Sequence, residues 1–165
     1  MDKVKLAALI LAASVLFAVS AVSAQQAAPP PYGAPITLEQ AKKAMAGAEA
    51  EARKNSWNVV IAIVESGGNL VMLQRMDNTQ FGSIDVAKQK AHTAVAFRRP
   101  TKAFQDLIAQ GGVNLRLLKL EGASPLEGGV PVIQDGKIVG AIGVSGVTSQ
   151  QDAQIATAGA DALAK

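Results

Sequence analysis

The sequence has 165 residues but no cysteine, a single histidine and few aromatic residues. Without cysteine, the chain cannot form disulfides, cysteine-ligated zinc or iron–sulfur sites, or a catalytic thiolate. A Ser-His-acid triad would need His92, and Ser145, which lies between glycines, lacks the spacing of a nucleophile elbow. The carboxylates are scattered and mostly lie beside predicted turns, where acidic residues are common without catalysis. An enzyme that works without a cofactor is therefore the least supported interpretation.

The N-terminal segment has the pattern of a secretory signal. Lys3 and Lys5 precede an apolar run over residues 6–19, and a small-residue cleavage pattern ends at Ala24. The apolar run is shorter than the roughly 20 residues that a transmembrane helix needs. We therefore predict that residues 1–24 are a cleaved signal peptide. The mature protein would be periplasmic or extracellular, without stable insertion in a membrane.

The rest of the chain has the length of a short tail and one domain. Residues 25–35 are rich in proline and include Tyr32, and we predict an extended tail rather than folded structure there. Residues 36–165 can bury roughly two-thirds of their unfolded surface. Outside the signal, 14 basic and 12 acidic residues remain. This balance, without alternation of basic and aromatic residues, predicts no binding to nucleic acid.

The first half of the domain predicts a helix and a hairpin. Apolar residues at three- and four-residue spacing indicate a helix over residues 38–54, which Thr37 begins. Two runs rich in β-branched and apolar residues, on either side of the turn at residues 66–69, indicate two antiparallel strands. A helix over residues 84–98 follows, with Ser83 as its candidate N-cap.

The second half predicts a further hairpin and more helices. Pro100 breaks the helix before it, a short helix follows over residues 102–110, and residues 114–120 fit either a helix or a strand. Asp135-Gly136 between two β-branched runs indicates a second hairpin. Thr148 begins a final helix. Hairpins rather than parallel crossovers dominate this order, which predicts an α+β fold with an antiparallel sheet flanked by helices.

The glycine cluster "GAIGVSG" matches neither a dinucleotide-binding motif nor a P-loop. Its backbone amides could hold an anion before the last helix. Alternatively, the missing side chains let a helix or a subunit approach the sheet closely, which we favour for Gly140 and Gly143. Gly146 fits both interpretations.

The helix over residues 84–98 has more than one apolar face. The predicted core face consists of Ile84, Ala87, Ala91, Ala94 and Val95. Lys88, His92 and Arg99 form a polar stripe along its edge. A second apolar face combines Val86, Thr93 and Phe97, with Lys90 beside it. Another subunit, a flat apolar ligand with acidic groups, or burial on two sides within the monomer would each explain this second face.

Arg75 ends the second predicted strand and begins a loop. Binding groups often lie where a strand leads into a loop, so Arg75 is a candidate for ligand binding. A turn closed by an ion pair between Arg75 and Asp77 is the commoner alternative.

Four ordered blocks of the chain resemble the GlcG/HbpS-type haem-binding family, also known as a haem-degrading domain. They are "ESGGNLVMLQRMDN", "SIDVAKQKAHTAVAFRRPT", "GGVPVIQDGKIVGAIGVSG" and "QDAQIATAG". The resemblance extends to the C-terminal domain of PduO-type corrinoid adenosyltransferases. It implies a profilin-like fold with a five-stranded antiparallel sheet and homo-oligomers as large as octamers. It also implies haem binding, in exported members for haem or redox sensing.

The resemblance also suggests which residues contact haem. Lys90 to Ala94 match the family element Lys-Ala-x-Thr-Ala, in which Thr93 occupies the position associated with haem and His92 the variable one. A threonine hydroxyl is a weak ligand beside the His, Cys, Met or Tyr that haem iron favours. The candidate iron ligands are therefore Thr93 and His92.

We expect an exported haem-binding protein that uses the helix over residues 83–98 as its haem platform. The candidate cofactor-binding residues are Thr93, His92, Lys90, Lys88, Phe97, Arg99 and Arg75. Two alternatives remain open. One is a small-molecule-binding or accessory protein of a catabolic pathway that binds no haem, and the other is a structural oligomeric module.

Overall fold

A computed structural model describes residues 28–163 of the chain. The helices are α1 (Leu38–Lys54), α2 (Ser83–Ala96), α3 (Lys102–Ala109) and α4 (Ser149–Asp161), and a 3-10 helix spans Gly112–Lys119. The strands are β1 (Val60–Glu65), β2 (Leu70–Arg75), β3 (Gly129–Gln134) and β4 (Lys137–Ser145). The predicted signal peptide, residues 1–24, lies outside the described residues. Within them, no helix is both long and apolar enough to cross a membrane.

Reciprocal capping boxes begin the first and last helices. The Thr37 hydroxyl accepts a hydrogen bond from the Gln40 amide, and the Gln40 side chain accepts one from the Thr37 amide at 2.8 Å. Thr148 and Gln151 repeat this arrangement at α4. Each box satisfies amide groups that would otherwise lack a partner at the start of a helix, which confirms both predicted starts.

The two hairpins form one antiparallel sheet in the order β2-β1-β4-β3. Asp135 and Gly136 connect β3 to β4 with φ of 49° and 71°, the left-handed values that a tight two-residue hairpin turn requires. Helices α1 and α4 cover the face that carries Ile61 and Ile63, whereas α2 covers the face that carries Val60. The predicted α+β arrangement is confirmed.

The expectation of five strands is wrong for the described residues, whose sheet has four. The segment that fitted either a helix or a strand is the 3-10 helix, in which no side chain is buried. The chain enters it through Gly111 and Gly112, both at positive φ, and a strand would need an alternating buried face that this segment lacks. The implied profilin-like fold is therefore not confirmed.

Part of the predicted tail is bound to the sheet. The Gly33 amide donates to the Ile138 carbonyl and the Ile138 amide donates to the Pro31 carbonyl, both at 2.8 Å. The Tyr32 hydroxyl donates to the carbonyls of Val95 and Ala96 at 2.9 and 3.2 Å. Tyr32 forms a parallel bridge with Ile138 of β4 and also holds the C-terminal end of α2, so this part of the tail belongs to the folded domain.

Close packing explains two glycines of "GAIGVSG". A Cβ at Gly143 would collide with the backbone of Ala87 and Ala91, because α2 lies directly on β4 there. A Cβ at Gly140 would collide with the Val64 carbonyl. The favoured interpretation, close approach of a helix to the sheet, is confirmed for Gly143, whereas Gly140 makes room for the carbonyl of the neighbouring strand β1.

This packing predicts that Gly143→Ala destabilises the fold. The added methyl group would force α2 away from β4, and overpacking of this kind costs about 1–3 kcal/mol of unfolding free energy. Gly82→Ala is the matched control, because a Cβ at Gly82 meets no atom within 4 Å. Urea denaturation of both variants measures the difference, and equal stability would contradict this account of Gly143.

Candidate functional site

Helix α2 carries most of the candidate residues, and its start differs from the prediction. Ser83 is the first residue of the helix rather than its N-cap, and Gly82 occupies the cap position without a side-chain hydrogen bond. The Ser83 hydroxyl is buried and instead accepts a hydrogen bond from the Ser145 hydroxyl at 3.1 Å. Ser83 therefore ties the beginning of α2 to the end of β4.

A cleft of about 220 Å³ lies between α2 and the turn that joins β1 to β2. Its lining residues are Val64, Gly68, Leu70, Lys88, Gln89, His92 and Gly122. The hairpin supplies apolar walls, α2 supplies one imidazole, one ammonium and one amide, and a single loop residue closes one side. An apolar cleft with few polar groups is typical of a small-molecule site.

His92 is exposed at this cleft. Its Nδ1 lies 3.5 Å from the Gly68 carbonyl oxygen, and within residues 28–163 no group hydrogen bonds to Nε2. A neutral imidazole nitrogen is a common metal ligand. The imidazole of His92 is therefore the group of this cleft that could hold a metal centre.

The β1–β2 turn fits closely against His92. Gly68 has φ of 90°, and a Cβ there would lie 2.8 Å from His92 Nδ1. The Glu65 carboxylate accepts hydrogen bonds from the amides of Gly67 and Asn69 at 2.7 and 3.0 Å. These bonds hold the pKa of Glu65 below its ordinary value, so the ionised carboxylate stabilises the turn.

Lys88 is the cation of the cleft. Its ammonium lies 2.7 Å from an Asp85 carboxylate oxygen, and the two side chains are 42% and 74% exposed. Exposed pairs of this kind contribute little because water screens them. Lys88 can therefore exchange Asp85 for an acidic group of a ligand at little cost.

Thr93 is fully buried instead of facing a ligand. Its hydroxyl donates to the Gln89 carbonyl and accepts from the Ser124 amide, both at 2.7 Å. This geometry disagrees with the expectation that Thr93 contacts haem. The loop around Ser124 covers Thr93 from within the chain.

Lys90 is also buried, so the expectation that it pairs with an acidic ligand disagrees with the structure. Its ammonium lies 2.7 Å from an Asp152 carboxylate oxygen and 3.0 Å from the Val144 carbonyl. Burial raises the pKa of Asp152, although hydrogen bonds from Lys90 and from the Val147 amide oppose the rise. Burial of α2 on two sides within the monomer therefore explains Lys90 and Thr93.

Phe97, Arg99 and Arg75 do not line the apolar cleft. The Phe97 ring packs edge-on against Phe104 at 5.1 Å, and the Arg99 guanidinium lies 5.9 Å from the centre of the same Phe104 ring. Arg75 donates to the Thr79 carbonyl and lines a separate, polar cleft at the end of β2. Of the predicted site residues, only Lys88 and His92 share the apolar cleft.

Sequence reasoning missed the hairpin side of the cleft. Val64, Gly68 and Leu70 of the hairpin, like Gly122 of the loop before β3, have no ionisable or metal-binding side chain, and they meet α2 only in the folded chain. The sequence predicted a turn at Gly67-Gly68, but the periodicity of apolar residues could not show that this turn packs against His92.

Comparison with known proteins agrees with this architecture. A family model described as "Haem degrading protein HbpS-like" matches residues 36–161. The chain belongs to the HbpS-like family. It is 42% identical over 110 residues to protein GlcG of Escherichia coli K12, covering 67% of this chain and 81% of GlcG.

Two solved structures show the same fold. A double mutant of HbpS from Streptomyces reticuli is 35% identical, with a TM-score of 0.73, over 85% of this chain and 94% of that one. A PduOC:haem complex is 26% identical, with a TM-score of 0.70, over 78% of this chain and 94% of that one.

The Glu65 carboxylate predicts a pH dependence of the turn beside His92. Its folded pKa is lowered, so its stabilising effect is complete above the unfolded pKa and is lost as the pH falls through the folded pKa. The amide resonances of Gly67 and Asn69 should therefore titrate below the ordinary glutamate pKa in an NMR experiment. In Glu65→Gln this titration should disappear, and its persistence would show that another group controls the turn.

The buried ion pair predicts a large loss of stability in Asp152→Ala. Removing one partner leaves the Lys90 ammonium buried without compensation, which costs about 3–5 kcal/mol. The double variant Lys90→Met/Asp152→Leu should recover much of this loss. Asp106→Ala, which breaks the exposed pair with Lys102, is the control and should cost less than about 1 kcal/mol. Urea denaturation that gave equal losses for the two alanine variants would contradict the account.

Proposed function

We propose that this protein is an exported haem-binding protein that captures, buffers or senses haem. Haem would enter the cleft between α2 and the β1–β2 turn, with His92 as its axial ligand. The observation that carries this proposal is the exposed imidazole of the only histidine at the mouth of an apolar cleft. Membership of the HbpS-like family and similarity to the PduOC:haem complex support it.

The chemistry of the cleft residues fits haem. Histidine nitrogen is a common axial ligand of haem iron, and a bound haem would supply the redox-active iron. Val64 and Leu70 offer apolar contacts to the ring, while Lys88 offers a cation to a propionate. Because Thr93 is enclosed by its own hydrogen bonds, His92 replaces it as the favoured ligand.

The size of the cleft indicates how haem would bind. Its volume of about 220 Å³ is smaller than the roughly 300–1,000 Å³ of sites that bury drug-sized ligands. The cleft can therefore hold one edge of the macrocycle and leave the rest outside. An accessible haem suits capture, buffering or sensing better than oxygen activation.

Export forms a separate part of the proposal and rests on the signal-like pattern of residues 1–24. Expression of the full chain in a bacterial host, followed by fractionation and mass measurement, tests it. We expect an exported product that begins at Gln25, and a product retained in the cytoplasm with residues 1–24 intact would contradict export.

Hemin titration of the mature protein tests haem binding. We expect a saturable shift of the Soret band at micromolar protein, and a marked loss of that shift in His92→Ala because the iron loses its ligand. Gln89→Ala is the matched control, since Gln89 lines the same cleft without a nitrogen suited to iron. Thr93→Val should retain the histidine-ligated spectrum. Absence of a saturable shift in the unchanged protein would overturn the proposed function.

The small volume also favours a second candidate function, the binding of an aromatic or aliphatic acid without haem. A compound of that kind would fit within the 220 Å³ cleft and pair its carboxylate with Lys88. A thermal-shift screen of small acids tests this candidate. Stabilisation that is lost in Lys88→Met would support it, and no stabilisation by any acid would count against it.

Assembly into homo-oligomers, up to an octamer, remains part of the proposal. The resemblance to the family supports it, and the structure describes one copy of the chain. Light scattering of the mature protein measures the size directly, and a monomer would contradict this part of the proposal.

A further inference from the structure

A surface segment beside the cleft exposes more apolar area than its surroundings explain. It comprises residues 111–122, between α3 and the loop before β3, and contains the 3-10 helix. No side chain of that helix is buried, and Val113, Leu115 and Leu118 are 71%, 48% and 60% exposed. Contiguous exposed apolar surface often marks a binding or contact site.

Glycines at both ends allow this segment to rotate as a unit. Gly111, Gly112 and Gly122 have φ of 70°, 59° and 71°, in the region that glycine adopts without strain. A Cβ at any of them would meet no atom within 4 Å, so packing does not explain why these positions lack side chains. The left-handed backbone conformation does explain it, because glycine adopts that conformation without strain.

The segment adjoins the candidate site directly. Gly122 lines the cleft and follows the last residue of the 3-10 helix by only three positions. The chain beyond it is anchored, because the Ser124 amide donates to Thr93 and the Glu127 amide donates to the Gln105 side chain. A rotation about Gly122 would therefore move the 3-10 helix relative to a fixed base next to the cleft.

The segment carries three exposed charged residues, the cations Arg116 and Lys119 and the carboxylate of Glu121. Arg116 and Lys119 are both exposed, and within residues 28–163 neither lies within 4 Å of a carboxylate. The segment thus combines apolar side chains with two cations that no described carboxylate pairs with, and with the one carboxylate of Glu121. A ligand with an apolar body and acidic groups, such as haem with its propionates, would complement the apolar side chains and the two cations.

We infer that residues 111–122 form a hinged flap that closes over the ligand in the His92 cleft. Leu115 and Leu118 then cover the part of the ligand that the cleft cannot hold, and Arg116 and Lys119 pair with its acidic groups. This inference rests on the proposed function and adds a second set of binding residues, which lie outside the cleft in the present structure. It also explains how a cleft of about 220 Å³ can serve a ligand as large as haem.

The first test compares hemin binding by Leu115→Ser/Leu118→Ser with binding by the unchanged protein. We expect about tenfold weaker binding or more, because two apolar side chains no longer cover the ring. Ile133→Ser is the matched control, since Ile133 is a similarly exposed apolar residue of β3 that does not line the cleft. Its affinity should stay within about twofold of the unchanged protein.

The second test uses trypsin, which cleaves after arginine and lysine, on the unchanged protein with and without hemin. Cleavage after Arg116 and Lys119 should be fast without ligand and at least about tenfold slower with saturating hemin, whereas cleavage after Lys54, exposed at the C-terminal end of α1, should change much less. Equal cleavage rates at the flap would overturn the inference. This measurement needs no variant and therefore does not depend on how the substitutions fold.

The outcomes separate the flap from the proposed function. If the unchanged protein binds no hemin, the result contradicts both the proposed function and the flap. If it binds hemin but the double variant binds equally well, the result contradicts the flap and leaves haem binding in the cleft supported. A double variant that dissociates an oligomer in light scattering, with unchanged hemin affinity per chain, would show that a second copy covers the patch and would also overturn the flap.

Discussion

The buried ion pair between Lys90 and Asp152 is the interaction on which the arrangement of the site depends. It joins the middle of α2 to the first turn of α4, while the Lys90 ammonium also binds the Val144 carbonyl at the end of β4. A buried pair of opposite charges stabilises a fold only when the two groups meet in the correct geometry. The pair therefore fixes the rotation of α2 on the sheet.

That rotation decides which residues α2 presents to solvent. With Lys90 and Thr93 turned inward, Lys88 and His92 lie on the outer edge, against the β1–β2 turn. Gly143 allows the helix to approach β4, and Tyr32 binds its C-terminal end. The cleft thus lies on a firmly held helix, whereas the flap beside it has glycines at both ends. In the proposed complex, a firmly held ligand position with an adjustable cover would suit the uptake and release of haem.

Local patterns in the sequence predicted much of the fold. Thr37 and Thr148 start their helices with capping boxes, and Asp135-Gly136 turns a hairpin, because each signal acts within a few residues. Helical periodicity predicted the core face of α2: Ile84 is partly buried, and the other four residues, Ala87, Ala91, Ala94 and Val95, are buried. The sequence did not predict the 3-10 helix, because the apolar residues of that segment suit a helix and a strand equally.

The site was less predictable because its decisive contacts join distant parts of the chain. Thr93 binds Ser124, 31 residues away, and Lys90 binds Asp152, 62 residues away. No periodicity within α2 reveals such partners, so a buried polar face was indistinguishable from a face that awaits a ligand. The same limitation concealed the contact between Gly68 and His92.

In the proposed complex, His92 coordinates the iron of a haem bound in the cleft between α2 and the β1–β2 turn. The electron paramagnetic resonance spectrum of the hemin-loaded protein measures this coordination, because it reports the axial ligand of ferric iron. We expect a spectrum of histidine-ligated haem that changes when His92 is replaced by alanine. An identical spectrum in the two proteins would contradict it.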